Sequence, residues 1–420
     1  MKARKHIHHI QKTIVIGLCL AIAPAAWSQT TTLTLEQAVQ QGLASNKTVQ
    51  SAQYDVEAKQ SLRKTAGDIG RFTAVGMIGQ YNSYEKADNN ITVSQTIPFP
   101  TVFAARAALG DANIKSSELT LAATQNEIAY QVKSTWYHLA YLHALNTWYT
   151  RTDSLWKAFA QAAALRQRTG ETNLLEKVTA ESRYLQAQTQ LHQNQRDIDI
   201  YKQRLQTVLH SAAGVDVESI KLTARPRPAA DTAAGPENPR IGWYRQQVAV
   251  ASKERAVEKS GLAPELILGY FNQTLIGTPR AEGTTALATK SDRYQGFEVG
   301  VSFPLWFKPQ VARVRAAEYT RLTAQTRYEQ ELRNYSGEVS VLNQEVDKLY
   351  TSLTYYESSA LPRAELILKQ ANLALRGGEI GYLELIQAVS TAAELQVGYL
   401  ETLNNYNQAV VRLELLLGQR

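Results

Sequence analysis

Cysteine is nearly absent from this chain. The single cysteine among 420 residues, Cys19, falls inside an N-terminal segment that reads as a cleavable export signal, so the remainder has none. An exported chain without cysteine is held together by packing and hydrogen bonds, not by disulfides. Long hydrophobic runs are missing as well. After residue 28 no stretch holds about 18 consecutive apolar residues, which excludes a protein that crosses a membrane by helices. It does not bear on a transmembrane β-barrel, whose strands are short and alternating. Catalytic signatures are also lacking: there is no G-x-S-x-G, P-loop, HExxH or CxxC. The four histidines after residue 28, His138, His143, His192 and His210, have no i, i+4 partner and no carboxylate at metal-ligand spacing. These absences argue against an enzyme and against a resident metal or cofactor.

The export signal rests on its first residues. Lys2, Arg4, Lys5 and Lys12 make a basic start, Ile14 to Ala23 is an apolar run, and Pro24 ends it. The run is signal-peptide length and too short to span a bilayer as a helix. Ala26-Trp27-Ser28 offers small residues where a signal peptidase reads, placing cleavage after Ser28. Cys19 follows Ile16-Gly17-Leu18, a poor lipoprotein box. Losing the four basic residues of the signal lowers the formal charge from +7 to +3. The basic pI is therefore weak support for nucleic-acid binding, and no nucleic-acid partner is expected. The cluster His6, His8 and His9 leaves with the signal.

What is present is a duplication. Val93-Ser-Gln-Thr-Ile-Pro98 aligns with Val299-Gly-Val-Ser-Phe-Pro304, an offset of 206 residues. The stretch Arg168, Gly170, Glu171, Leu175, Glu176 aligns with Arg376, Gly378, Glu379, Leu383, Glu384, an offset of 208. Self-similarity at one spacing marks a repeated structural unit. The chain divides into a signal (1–28), a first repeat (29–211), a linker or equatorial segment (212–238) and a second repeat (239–420). Each repeat reads as helix, strand, strand, long helix, turn, helix. The first has a helix over Thr34 to Ala66 opened by the capping-box pattern Thr34-Leu-Glu-Gln37. Strands follow over Phe72 to Tyr81 and Ile91 to Ile97. Pro98 and Pro100 end the second strand, since proline cannot donate to a ladder. A long helix then runs from Thr101 to Arg168, Gly170 turns the chain, and a last helix reaches Ser211. The second repeat has a helix over Pro239 to Ser260 and strands over Glu265 to Thr274 and Tyr294 to Phe303. Its long helix runs from Lys308 to Arg376 with a bend at Pro362, and its last helix from Tyr382 to Leu417.

Helices of about 65 residues reach about 100 Å and need a coiled-coil neighbour. In each repeat two shorter helices stacked end to end match the long one, giving a wall of paired helices. On the last helix of the first repeat, Leu174, Leu175, Val178, Tyr184, Leu185 and Leu191 form a narrow apolar stripe, which by periodicity alone fits an ordinary helical bundle equally well. The strands separate the two. In Ile91 to Ile97 and Phe297 to Phe303 one face is apolar and the other polar, as in a membrane barrel. Tyr81, Tyr84, Tyr270, Phe271, Tyr294, Phe303, Trp306 and Phe307 lie near strand ends, where an aromatic girdle belongs. Four strands cannot close a membrane barrel of about eight or more, so insertion demands an oligomer. A trimer supplies twelve.

On these motifs, over essentially the whole chain after the signal, the sequence resembles the TolC-like outer-membrane efflux family. The resemblance implies a mainly α protein with a small membrane β-barrel: four strands per protomer, a trimeric twelve-stranded barrel, and coiled-coil helices forming an α-barrel in the periplasm. It implies an exit duct of a tripartite pump, with a homotrimer, a periplasmic adaptor, an inner-membrane transporter and outer-membrane lipid as partners. It assigns the periplasmic tip, gate and adaptor docking to Arg168, Gly170, Glu171 and Glu176 and to Arg376, Gly378, Glu379 and Glu384. It makes Pro98, Pro100 and Pro304 the strand-to-helix junctions and sets the loops 82–90 and 277–292 outside. Gln95-Thr-Ile-Pro-Phe-Pro100 also looks like the heavy-metal branch, which serves pumps of the resistance-nodulation-division class. Drug or protein export is the rival cargo. A periplasmic coiled-coil adaptor or a structural coiled coil is the rival without a channel. Mass spectrometry of the exported protein should find Gln29 at its N-terminus; an outer-membrane form beginning at Met1 would contradict the signal assignment.

Overall fold

The computed structural model describes residues 31–80, 84–217, 222–228, 238–281 and 283–419. The signal segment, Tyr81 and much of the linker lie outside the described residues. The longest element is helix α3, Pro100–Arg168, of 69 residues, roughly 100 Å at the usual rise. Pro100 stands in its first turn, where a missing N–H costs nothing. Shorter helices line up along it: α2 (Lys47–Arg63), α4 (Leu174–Leu209), α5 (Pro239–Ser260) and α8 (Tyr382–Leu417) all pack on α3.

Two asparagines join these shorter helices end to end. Asn46 caps α2: its Oδ1 accepts the Thr48 N–H at 2.8 Å, while its Nδ2 donates to the Val208 carbonyl at 2.8 Å, in the last turn of α4. Ser45 Oγ donates to the Leu209 carbonyl at 2.5 Å. Asn238 does the same in the second repeat. Its Oδ1 accepts the Arg240 N–H at 2.7 Å and its Nδ2 donates to the Leu416 carbonyl at 2.5 Å, in the last turn of α8. Asn126 Nδ2 adds a bond to the Leu415 carbonyl at 2.8 Å. Groups that helix ends ordinarily leave to water are thus paired across the joint, and the negative end of one macrodipole meets the positive end of the next.

Asn46 also breaks the expected single helix from Thr34 to Ala66. It is extended (φ −67°, ψ 126°) and separates α1, Leu35–Ser45, from α2. The Thr34 capping box is formed as its sequence suggests. The expected apolar stripe on α4 is not the buried one. Leu174, Leu175, Val178 and Leu185 are exposed, whereas Ala180, Ala187, Asn194, Ile198, Leu205 and Leu209 are buried. Their spacing of seven, seven, four, seven and four is that of a coiled-coil seam, alanine at the turn end and Ile or Leu towards the joint.

The second long helix is interrupted. Helix α6, Phe307–Tyr355, passes through a five-residue π-helical segment, Tyr356–Ala360, into α7, Leu361–Gly377. Pro362 follows directly. The wide turn packs on α8 at Gly398, where an added Cβ would lie 2.5 Å from the Tyr356 hydroxyl. It also explains the drift of the repeat. The offset is 206 at Pro98 and Pro304, 207 at the helix starts Pro100 and Phe307, and 208 at Gly170 and Gly378. The π turn absorbs the extra helical residue, and burial stays in phase on both sides. Ile128, Val132 and Leu139 match buried Tyr335, Val339 and Val346 above it, and Trp156 and Ala163 match buried Ala364 and Ala371 below it.

Two short parallel strands escape sequence reading: β1, Thr31–Leu33, pairs with β4, Val215–Val217. Beyond β4, in the segment read as a linker, Arg225 is locked onto the bundle. Its N–H donates to Asn407 Oδ1 at 2.8 Å, its guanidinium meets Glu414 and the Tyr137 hydroxyl, and Lys133 Nζ reaches the same buried Glu414 at 2.7 Å.

The remaining strands form one antiparallel sheet in the order β2-β3-β5-β6, with β2 Thr73–Ile78, β3 Asn89–Pro98, β5 Glu265–Gln273 and β6 Tyr294–Ser302. The register aligns the alternating residues into rows. Ala74, Val93, Tyr270 and Phe297 form one row, and Ile97, Leu266 and Val301 another, on the same face. Thr73, Ser94, Gly269 and Glu298 share a row on the opposite face. One chain supplies an open sheet whose outer strands, β2 and β6, have no further partner among the described residues. No described helix is long and apolar enough to cross a membrane. Asn46→Ala and Asn238→Ala should each lower stability by about 1–2 kcal/mol, read as a lower thermal midpoint in detergent with helix content retained. An unchanged midpoint would show that water serves the joints equally well.

Candidate functional site

The two turns at the far end of the helices are built alike. Each long helix closes on a glycine in the left-handed region, Gly170 at φ +78° and Gly378 at φ +72°. The next N–H bonds back five residues, Glu171 to Arg166 and Glu379 to Ala374, both at 2.9 Å. This is the Schellman closure, and a side chain at either glycine would be strained. The following helix is capped in both repeats. The Asn173 side chain accepts the Glu176 N–H at 3.0 Å, and the Glu384 carboxylate accepts the Gly381 N–H, half of a capping box.

The turns differ in what the second acid does. Glu176 is buried, with its carboxylate between two donors: Arg166 Nη1 at 3.0 Å and Thr172 Oγ1 at 2.5 Å. Arg166 also approaches Glu171 at 3.9 Å. The Arg166 guanidinium lies over the Tyr382 ring, 5.1 Å from its centroid, an attractive cation–π geometry. Tyr382 opens the second hairpin's α8 and meets Phe159 of the first edge-on at 5.6 Å. Burial pushes the Tyr382 hydroxyl above its usual range; the Arg166 charge works against this and the Glu176 charge with it. Behind these contacts Trp156, Ala163, Ala180, Leu385, Ile386 and Val389 make a small core that joins the two hairpins.

Of the residues singled out by sequence, the structure brings Glu171 and Glu176 together around a cation, but that cation is Arg166 and not Arg168. Arg168 and Arg376 form no ion pair among the described residues. Glu379 follows Gly378 in the turn with no ion pair among the described residues. At the other end of α3 and α6, Pro98 is the last residue of β3, Pro100 opens α3 and Pro304 lies between β6 and α6. Sequence reading missed Arg166 and Tyr382. The signal was their departure from the repeat: at the same offset of 208 the partner of Arg166 is Ala374 and that of Tyr382 is Leu174. Among the described residues no group of three or more potential ligands is arranged to hold a metal ion.

Residues 233–419 match the family model described as Outer membrane efflux protein. No curated protein matches the chain. Among solved structures, it is similar to CusC, whose crystal structures concern folding and transmembrane channel formation, with 15% identity over 96% of both chains and a TM-score of 0.77. It is similar to VceC of Vibrio cholerae, an outer membrane protein, with 17% identity over 92% of this chain and 96% of that one and a TM-score of 0.76. It is also similar to the CmeC outer membrane channel of Campylobacter jejuni, with 13% identity over 91% and 85% and a TM-score of 0.75. Removing the Arg166 side chain leaves the buried Glu176 carboxylate short of a donor, so Arg166→Ala should cost about 1–3 kcal/mol. Adding Glu176→Gln should recover part of the loss, read from thermal midpoints; no loss in the single variant would mean the pair is idle. Residues 233–419 thus match the model of the outer membrane efflux protein family, and the chain as a whole has a fold similar to that of solved outer-membrane channels.

Proposed function

We propose that this chain is the outer-membrane exit duct of a tripartite efflux pump, acting as a homotrimer. The observation that carries the reading is the sheet. The rows Ala74-Val93-Tyr270-Phe297 and Ile97-Leu266-Val301 make one face mainly apolar, the opposite face carries the sheet's Thr, Ser and Glu residues together with Val75, Met77, Ile267 and Phe271, its two edges are open, and it stands on helices roughly 100 Å long. Three such sheets joined edge to edge would close a twelve-stranded barrel with lipid outside and water inside. The helices would extend it as a tube through the periplasm, reached after export by the N-terminal signal.

In this reading the turns at Gly170 and Gly378 form the periplasmic tip. Leu174, Leu175, Val178 and Leu185 are exposed in the single chain near that tip, and supply apolar surface for a neighbouring copy or an adaptor. Arg166, Glu176 and Tyr382 hold the two hairpins of one chain together, and we assign them the closed state of the gate. Cargo enters from an inner-membrane transporter coupled by the adaptor. The segment from Gln95 to Pro100 favours metal cations over drugs or proteins as that cargo. With one methionine, Met77, and four histidines after the signal, the duct passes ions without ligating them. No catalytic step is involved.

The test is the mass of the detergent-extracted protein by light scattering, with its conductance in a planar bilayer. A trimer that inserts and conducts is expected. A soluble monomer without bilayer activity would leave a periplasmic coiled-coil protein as the better account.

A further inference from the structure

The joint between α8 and α5 borders a cavity of about 660 Å³. Helices α2, α3 and α5 and the last turn of α8 all contribute to its walls. Along α3 the lining is Thr120, Thr124, Glu127 and Gln131, whose spacing of four, three and four marks one face of the helix. Trp243 and Tyr244 line it from α5, their rings edge-on with centroids 5.0 Å apart. Just beside them a glycine lets α5 close on α3: a Cβ at Gly242 would lie 3.2 Å from Leu119 Cδ2.

Several polar groups of this lining are unspent. Asn126 is only 4% exposed. Its Nδ2 donates to the Leu415 carbonyl at the joint, whereas its Oδ1 has no hydrogen-bond partner among the described residues. A buried acceptor without a donor is unfavourable. The Trp243 indole N–H and the Tyr244 hydroxyl also make no hydrogen bond among the described residues. The charges in the lining leave one sign uncompensated. Arg240 is engaged by Glu331 and Glu338. Glu127 is exposed, accepts a bond from Gln131 Nε2 at 2.9 Å, and makes no ion pair among the described residues. The helix ends add little, because the negative end of α8 meets the positive end of α5.

We propose that this cavity is a binding site for small aromatic amines in their protonated form. The aromatic body lies against Trp243 and Tyr244, where ring packing and cation–π attraction act together. The ammonium brings a donor to the wall where Asn126 Oδ1 lacks one, and Glu127 supplies the counter-charge. The volume suits a drug-sized molecule. A neutral aromatic keeps only the apolar part of the interaction, and an anion is opposed by Glu127. Asn126 and Asn238 line the cavity and also tie α5 to α8. Occupation therefore stabilises the joint, and a bound amine raises the thermal midpoint of the protein. All of the lining comes from one chain, so the site goes beyond the channel reading and stands apart from it.

The test is titration of the purified full-length protein in mild detergent with 9-aminoacridine, a fluorescent planar cation, followed by its anisotropy. Acridine, neutral and lacking the amino group, and acridine-9-carboxylate, an anion, serve as competitors. The amine should saturate one site per chain with a Kd of roughly 0.1 mM or below and raise the thermal midpoint. Acridine should compete more weakly and the carboxylate not at all. Trp243→Ala should weaken binding about tenfold and Glu127→Gln about two- to fivefold. Thr124→Phe, which fills the cavity from α3, should abolish it with helix content retained. Uptake that ignores both Trp243→Ala and Thr124→Phe belongs to the micelle and overturns the proposal. Equal competition by the carboxylate, or no binding by the folded protein, overturns it too. A protein that binds the amine but never conducts sinks the channel reading alone, and one that conducts but does not bind sinks this proposal alone.

Discussion

The joint between stacked helices is the constraint on which the architecture depends. A helix of 69 residues cannot hide its apolar side alone, and no other described helix equals it in length. Asn46 and Asn238 solve the problem by making two short helices behave as one. Each uses its carbonyl oxygen to start one helix and its amide nitrogen to finish another. Asparagine suits the task because one side chain carries both an acceptor and two donors. Without the joint, the first N–H groups of α2 and α5 and the last carbonyls of α4 and α8 would have no partner but water. With it, the seam along α3 runs from the sheet to the turns.

That rod lets one sequence satisfy two solvents. At one end the strands alternate with period two and expose Phe297, Val299 and Val301 on a face that only lipid or another sheet would suit. At the other end the helices bury alanines together with Trp156, Leu385, Ile386 and Val389. The sharp change from one period to the other is set by Pro98, Pro100 and Pro304, each placed where a ladder or helical hydrogen bond is not required.

Much of this was legible because the relevant signals are local. Helix α5 begins and helix α8 ends where its periodicity does, since Asn238-Pro239 is a strong start signal and Gly418 a strong stop signal. The two faces of β3 and β6 follow from alternation. What escaped reading is non-local or low in contrast. The break at Asn46 has meaning only beside the carbonyl of Val208, 162 residues away. Strands β1 and β4 are three residues each and pair across the first repeat. The first half of the α4 seam is Ala180, Ala187 and Asn194, which look less apolar than the exposed leucines beside them, so hydropathy pointed to the wrong face there. At the turns, the basic residue nearest the glycine was the obvious candidate, but Arg166 sits one helical turn before Gly170 and so points back over Glu176.

The π-helical segment before Pro362 bears on how many equivalent sites an assembly can offer. One additional residue in a regular helix would rotate everything beyond it by about 100°, and the two hairpins would then present different faces. Because the wide turn takes up that residue, Trp156 and Ala163 keep their counterparts in Ala364 and Ala371. A closed ring of three chains would therefore show threefold symmetry at the sheet and near-sixfold symmetry at the turns. A partner gripping helix seams would count six places to bind, whereas one sensing Tyr382 and Arg166 would count three.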